Sequence, residues 1–377
     1  MKKIICVFIF AIVIMLLPLK VYAQEQPDIT HELGIDTTTI DYGITPRVQS
    51  FIDEKNISVE NTEAMTEITP MEVLVYIWDT FKEKLTEPLQ ILASLLVIML
   101  ISVIVNSMED SLSNKSTSGM FGVISVLISV GIISSSVSSC IDTVSEALTS
   151  GSRFMIGYVP VFAGITASSG SITSATAYNL LVILISQSAA QLYAEIIVPV
   201  LSLCMAVGII EAINPDFRLS GITEGVKKGV TFVIGFVMVV FIGLMSLQSI
   251  IGASADTLGV KAAKYMVSNW IPFIGGAIAD TYTTVKHSLG LLRGGAGFLG
   301  IAVIFVMIVP PLIEIIAMRM VFTVADIISD LFNVPQMKIL LKNTGWILSI
   351  AFSIMMCFAV MFIISTAMLM LVGLNVS

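Results

Sequence analysis

The chain has 377 residues, a net charge of −8 at pH 7, 12% charged and 56% hydrophobic residues, and a mean hydropathy of +0.97. Soluble domains carry about 25% charged residues, so this balance excludes a soluble enzyme and points to an integral membrane protein. Several apolar runs reach the roughly 18 residues that cross hydrocarbon as a helix, and the expected fold is an all-α polytopic membrane protein.

Residues 1–23 read as a signal peptide: Lys2 and Lys3, an apolar run from Ile4 to Leu17, then Val21-Tyr22-Ala23 with small residues suited to cleavage. The mature amino end is then extracytoplasmic. Residues 24–87 form an acidic exported leader with 14 acidic and 4 basic side chains, a balance that disfavours nucleic acid and anionic lipid as partners. A solvated spacer and an acidic docking segment both fit it. Near its end, Thr69-Pro70-Met71-Glu72 has the form of a capping box with proline in the first turn. Met71, Leu74, Val75, Trp78, Phe81 and Leu85 then make one apolar stripe, with Lys82, Glu83 and Lys84 outside it. This spacing predicts an amphipathic helix over 70–86, in the membrane interface or against another helix.

Beyond the leader, Pro88, Pro199 and Pro310 each open an apolar run and are 111 residues apart. RFMIGYVPVFAG from Arg153 resembles KYMVSNWIPFIGG from Lys264 at the same spacing. Internal repeats of about 111 residues follow as the expectation, with units at 88–198, 199–309 and a truncated 310–377. Each complete unit reads as a proline-led helix, a second helix, a polar bridge, a segment broken by proline and glycine, and a last helix. At Pro199 and Pro310 two spans meet without a polar turn, which leaves a long kinked helix open there. With four spans per unit, Lys115, Arg218, Lys227, Lys228, Lys286, Arg293, Lys338 and Lys342 fall inside and Arg153, Lys261 and Lys264 outside, as the excess of cytoplasmic basic residues requires.

Residues that carry catalysis are missing from the sequence. His31 and His287 are its two histidines and are far apart, no phosphate loop or serine elbow occurs, and no cofactor is implied. Cys6 lies in the signal, while Cys140, Cys204 and Cys357 lie in or beside apolar runs and read as packing residues. Polar matter at membrane depth remains. The uncharged stretch Gly157–Asn179 holds Pro160, Gly164, Thr166, Ser168, Ser169, Ser171, Thr173 and Ser174, and its repeat counterpart holds Pro272, Gly275 and Gly276. Broken backbone at that depth must border protein or water, so these residues are candidates to line a pore or gate; close packing of small residues explains them equally. Gln187, Gln191 and Glu195 follow at i, i+4 and i+8 on one helix face and join the candidates. Glu211, Glu314 and Arg319 are further ionisable groups in or near spans, and Gly221, Gly225, Gly229, Gly290 and Gly294 form small-residue rows read as close helix contacts.

The stretch YVPVFAGITASSGSITSATAYN, with the signal, the acidic leader and the polytopic region around it, resembles the stage III sporulation protein AE family of endospore-forming Firmicutes over nearly the full chain. The resemblance implies a multi-pass protein of the mother-cell membrane around the forespore. It would be a non-enzymatic subunit of a secretion-like channel complex, with a secretion-type ATPase and ring-forming proteins as partners and a role as conduit or export gate. Homo-oligomerisation, an autonomous secondary transporter and a scaffold anchoring the rings stay open.

Overall fold

The computed structural model describes residues 46–55, 69–112, 115–214, 219–270, 275–332 and 334–372. The signal peptide and most of the leader lie outside the described residues. Nearly all of the described residues are helical. The helices are α1 (Pro46–Lys55), α2 (Pro70–Leu112), α3 (Lys115–Ser168), α4 (Ile172–Leu192), α5 (Val198–Ile213), α6 (Ser220–Trp270), α7 (Gly275–Leu331) and α8 (Pro335–Val372). A π turn, Tyr193–Ile197, joins α4 to α5. With α4 and α5 counted as one rod, six of these elements are long and apolar enough to cross a membrane. This is a multi-pass membrane protein.

The capping box forms as the sequence predicts: the Glu72 amide donates to Thr69 Oγ1 at 3.3 Å and the Thr69 amide to Glu72 Oε2 at 3.2 Å. The helix that begins there does not end before Pro88 but runs through it to Leu112. Its apolar stripe, Met71, Leu74, Val75 and Trp78, stays exposed, as an interfacial face would. The opposite face, with Tyr76 and the buried Thr80, packs inward, where Tyr76 meets Phe51 of α1 and Phe305 of α7. Arg47 of α1 pairs with Glu83 at 3.1 Å.

The rods exceed the membrane. Ile172–Ile213 is 42 residues, about 63 Å of helix, twice a hydrocarbon core of about 30 Å. Both junctions left open by the sequence are long helices: the chain passes Pro199 just after the π turn, and α7 passes Pro310 and Pro311 without stopping. Prolines are tolerated inside apolar helices where neighbouring elements re-satisfy the freed carbonyl.

The hairpin of α7 and α8 is the centre. In α7 the most apolar window is 83% buried, against 11% in α6, the outermost rod. Around the hairpin, α2, α3, α5 and α6 pack on one or both of its helices, and α4 packs between α3 and α6. The hairpin is closed by Lys338, which holds both oxygens of Asp330 at 2.6 and 2.7 Å.

One expectation is corrected. Arg153 is not in a loop, and no bridge or break separates residues 142–168; a single helix covers Lys115–Ser168, and α6 likewise covers Lys261 and Lys264. The polar bridge between two spans is helical because its residues, such as Asp142, Glu146 and Arg153, sit on the exposed side while Val144, Leu148, Phe154 and Met155 stay buried. An amphipathic continuation of a span carries no local signal of its own ends.

Candidate functional site

The stretch Gly157–Asn179 forms the end of α3, a tight turn and the start of α4. Pro160 is exposed on α3, and neither it nor Gly164 interrupts the helix. The reversal comes at Ser169-Gly170-Ser171. There Gly170 has φ 93°, the Ser171 amide donates to the Thr166 carbonyl at 3.3 Å and the Gly170 amide to the Ala167 carbonyl at 2.9 Å. This is a Schellman ending, and glycine is needed because a Cβ is strained at positive φ.

The start of α4 is capped from another helix. Ser171 occupies the cap position without a side-chain bond; instead Asp256 of α6 accepts from the Thr173 amide at 2.8 Å and from the Ser174 amide at 3.1 Å. Its carboxylate is buried, and the positive end of α4 stabilises it there. One turn earlier on α6 the backbone comes so close that a Cβ on Gly252 would lie 2.6 Å from Ser174 Oγ. Asp256 and Gly252 together dock α6 onto the turn. Sequence reading passed over both. The one signal was an isolated acid ending the charge-free run 229–255, which had to find a donor somewhere.

The hydroxyls are largely satisfied by their own helices. Thr166 donates to the Phe162 carbonyl at 2.8 Å, Ser168 to Gly164 at 3.0 Å, Ser169 to Thr166 at 2.7 Å and Thr176 to Ile172 at 2.9 Å. Thr166, Ser169, Ser171 and Ser174 are buried, whereas Ser168, Thr173 and Thr176 are exposed. The other face of this end of α3 is an aromatic ladder: Phe154, Tyr158 and Phe162 stack along it and meet Tyr178 of α4 and Phe362 of α8. Tyr158 donates to the Ala296 carbonyl at 3.1 Å, and the hydroxyl end of its ring occupies the space a side chain at Gly300 would need. Beside this turn, Ser174, Tyr178, Met245, Gln248, Ser249 and Met368 line a shallow cleft with little more room than a water molecule needs.

Of the remaining candidates, Gln187 is half-buried and Gln191 and Glu195 are exposed; Glu195 lies in the π turn. None of the three has a partner among the described residues. Gly275 and Gly276 begin α7, and Pro272 lies outside the described residues. No group of three His, Cys, Asp or Glu side chains among the described residues could hold a metal.

A second polar centre was half seen. Glu314 of α7 is buried and binds Lys84 Nζ at 2.8 Å, and Thr143 of α3 donates to its other oxygen at 3.3 Å. Lys84 therefore points into the bundle, away from the solvated side where its place outside the apolar stripe had put it. The sequence shows an acid in an apolar run but cannot say which cation, 230 residues away, meets it.

The sequence profile of the family described as "Stage III sporulation protein AE" matches residues 54–373. The chain belongs to this family. It is 20% identical over 303 residues to the stage III sporulation protein AE of Bacillus subtilis (strain 168), covering 80% of this chain and 75% of that protein. No solved structure matches the chain. The resemblance carried by Gly157–Asn179 is thus a family membership, and the protein is a sporulation membrane protein.

Proposed function

We propose that this chain is a non-enzymatic membrane subunit of the channel apparatus that links mother cell and forespore, where it forms part of a conduit or export gate. The observation that carries the reading is the polar row of Gln187, Gln191 and Glu195 on α4 and its π turn. It is partly or fully exposed and without a partner among the described residues, in a rod that carries no charge from 172 to 194. Polar groups at that depth face protein or water and not acyl chains, and π turns recur at functional positions. Family membership supplies the sporulation context. The mother-cell membrane, an extracytoplasmic mature amino end, and a secretion-type ATPase and ring-forming proteins as partners belong to the same proposal. So do the internal repeats, which would make the α4–α5 rod with Pro199 and α7 with Pro310 equivalent elements.

The rival reading is a scaffold that anchors the rings. It is favoured by the hydroxyls of 166–176, four of which bond to their own helix backbone. Replacing Gln187, Gln191 and Glu195 together by Leu separates the two. Among the described residues these side chains make no bond, so the variant is expected to accumulate in the membrane. A conduit then loses late forespore gene expression, and a scaffold sporulates as before.

A further inference from the structure

Hydroxyls in this bundle commonly close on their own helix. Thr176, Thr344, Ser353 and Ser365 each donate to a carbonyl three or four residues before, at 2.8 or 2.9 Å. Three buried hydroxyls where α4, α6 and α8 meet do not: Ser174 is 4% exposed, Tyr178 2% and Thr366 0%, and none makes a hydrogen bond among the described residues. Local structure explains two of them. Ser174 lies in the first turn of α4, so the residue four before it is Gly170, in the left-handed turn and not in a helix. The Phe362 carbonyl, four before Thr366, already accepts from the Ser365 side chain. The third, the Tyr178 phenol, has Ser365 and Thr366 beside it, and Thr366 also adjoins the Tyr158 phenol, yet no bond closes between Tyr178 and Thr366.

Buried polar groups in folded chains are paired almost without exception, and a hydroxyl left bare among apolar groups is costly. Three at one junction call for a small molecule that both donates and accepts. The junction has space for it. Ser174 and Tyr178, one turn apart on α4, line the shallow cleft described above, with Met245, Gln248 and Ser249 of α6 on its other side. It has room for about one water molecule, and no charged side chain lines it, which argues against an ion. We propose that water is bound in this junction and bridges the hydroxyls of Ser174, Tyr178 and Thr366, with α6 as its cover. These hydroxyls supply the two to four polar partners that a buried water needs. Acceptor capacity also remains on Ser365 and Tyr158, whose protons go to the Phe362 and Ala296 carbonyls. Supply comes from the end of the bundle, because the cleft adjoins the Ser169-Gly170-Ser171 turn, whose non-helical backbone borders water or protein and not lipid. The site goes beyond the conduit reading; a scaffold would hold the same water.

The test uses the full chain in lipid nanodiscs. A brief X-ray pulse makes hydroxyl radicals from water in place, and a methionine beside bound water is oxidised to its sulfoxide. Met245, 3% exposed, borders the cleft, whereas Met337 and Met355, each 0% exposed, are the dry references. Met245 should be oxidised several times faster than either. The excess should disappear in the double variant Tyr178→Phe with Thr366→Val, which keeps the volume and removes two of the hydroxyls. Tyr178→Phe, Thr366→Val and Ser174→Ala should each lower the thermal midpoint, because each takes a partner from the bound water. A dry, unpartnered hydroxyl behaves in the opposite way, and its removal is neutral or stabilising. Ser174→Ala is the mildest change and gives both readouts where the double variant does not assemble. Oxidation of Met245 no faster than the references, or an excess that survives loss of the hydroxyls, overturns the proposal. Midpoints that stay or rise do the same. Lowered midpoints without excess oxidation mean direct bonds between the hydroxyls and also overturn it.

Discussion

Asp256→Ala should loosen the whole α6–α4 contact. The carboxylate is buried and accepts two amide hydrogens from the first turn of α4, which Ala leaves without an acceptor. Hydrogen bonds to a charged partner contribute about 1.5–3 kcal/mol each, and a lost helix cap about 1 kcal/mol. Because the two bonds share one carboxylate and are themselves the cap, we expect a loss of about 3 kcal/mol, the lower end of the range for two such bonds. At about 2 °C per kcal/mol for a large chain, the unfolding midpoint falls by about 6 °C. Cys140 and Cys204 are free and buried, so the reaction of a maleimide fluorophore with them during a thermal ramp in detergent reports unfolding directly. Asp256→Asn keeps one carbonyl oxygen and should fall about halfway. An Asp256→Ala midpoint within about 1 °C of wild type would refute the assignment of this carboxylate as the cap of α4.

Gly300→Ala forces a methyl group into the Tyr158 ring and should cost about 1–3 kcal/mol as overpacking. Gly225→Ala, with nothing within 4 Å of the added carbon, should be neutral or stabilise by up to about 1 kcal/mol through helix propensity; the same thermal ramp compares them. Lys84→Met or Glu314→Met alone strands one member of an ion pair whose side chains are 31% and 11% exposed. With that partial exposure we expect a loss of about 2–3 kcal/mol for each single change, and the double Met variant should recover most of it. A double-mutant cycle measures the coupling, and additive losses would contradict a direct pair.

The glycines show where sequence reading reached its limit. The rows at Gly221, Gly225 and Gly229 and at Gly290 and Gly294 have no atom within 4 Å of an added Cβ, whereas Gly252 and Gly300, in no row, are where helices touch. Spacing places glycines on one face but does not say whether another helix lies against it. Pro160 was read as a break for a similar reason: proline removes one hydrogen bond, but the buried face of α3, with Phe154, Tyr158 and Phe162, continues past it and holds the helix together. Arg153, read as a loop residue by its charge, is helical by its neighbours.

What the amino-acid order alone determined is local or cumulative. Membrane class and the long apolar helices follow from transfer free energies summed over windows of about 20 residues, the capping box at Thr69 and Glu72 from groups three positions apart, and the family from the pattern of the whole chain. Tertiary structure decided the rest: that Asp256 caps Thr173 across 83 positions, that Lys84 answers Glu314 across 230, and that the charged side of α3 faces outward. Those outcomes depend on which surfaces meet, and in a chain where nearly every helix is apolar on all sides, hydropathy does not choose between faces. Close backbone approach and the need to satisfy the few buried charges make that choice.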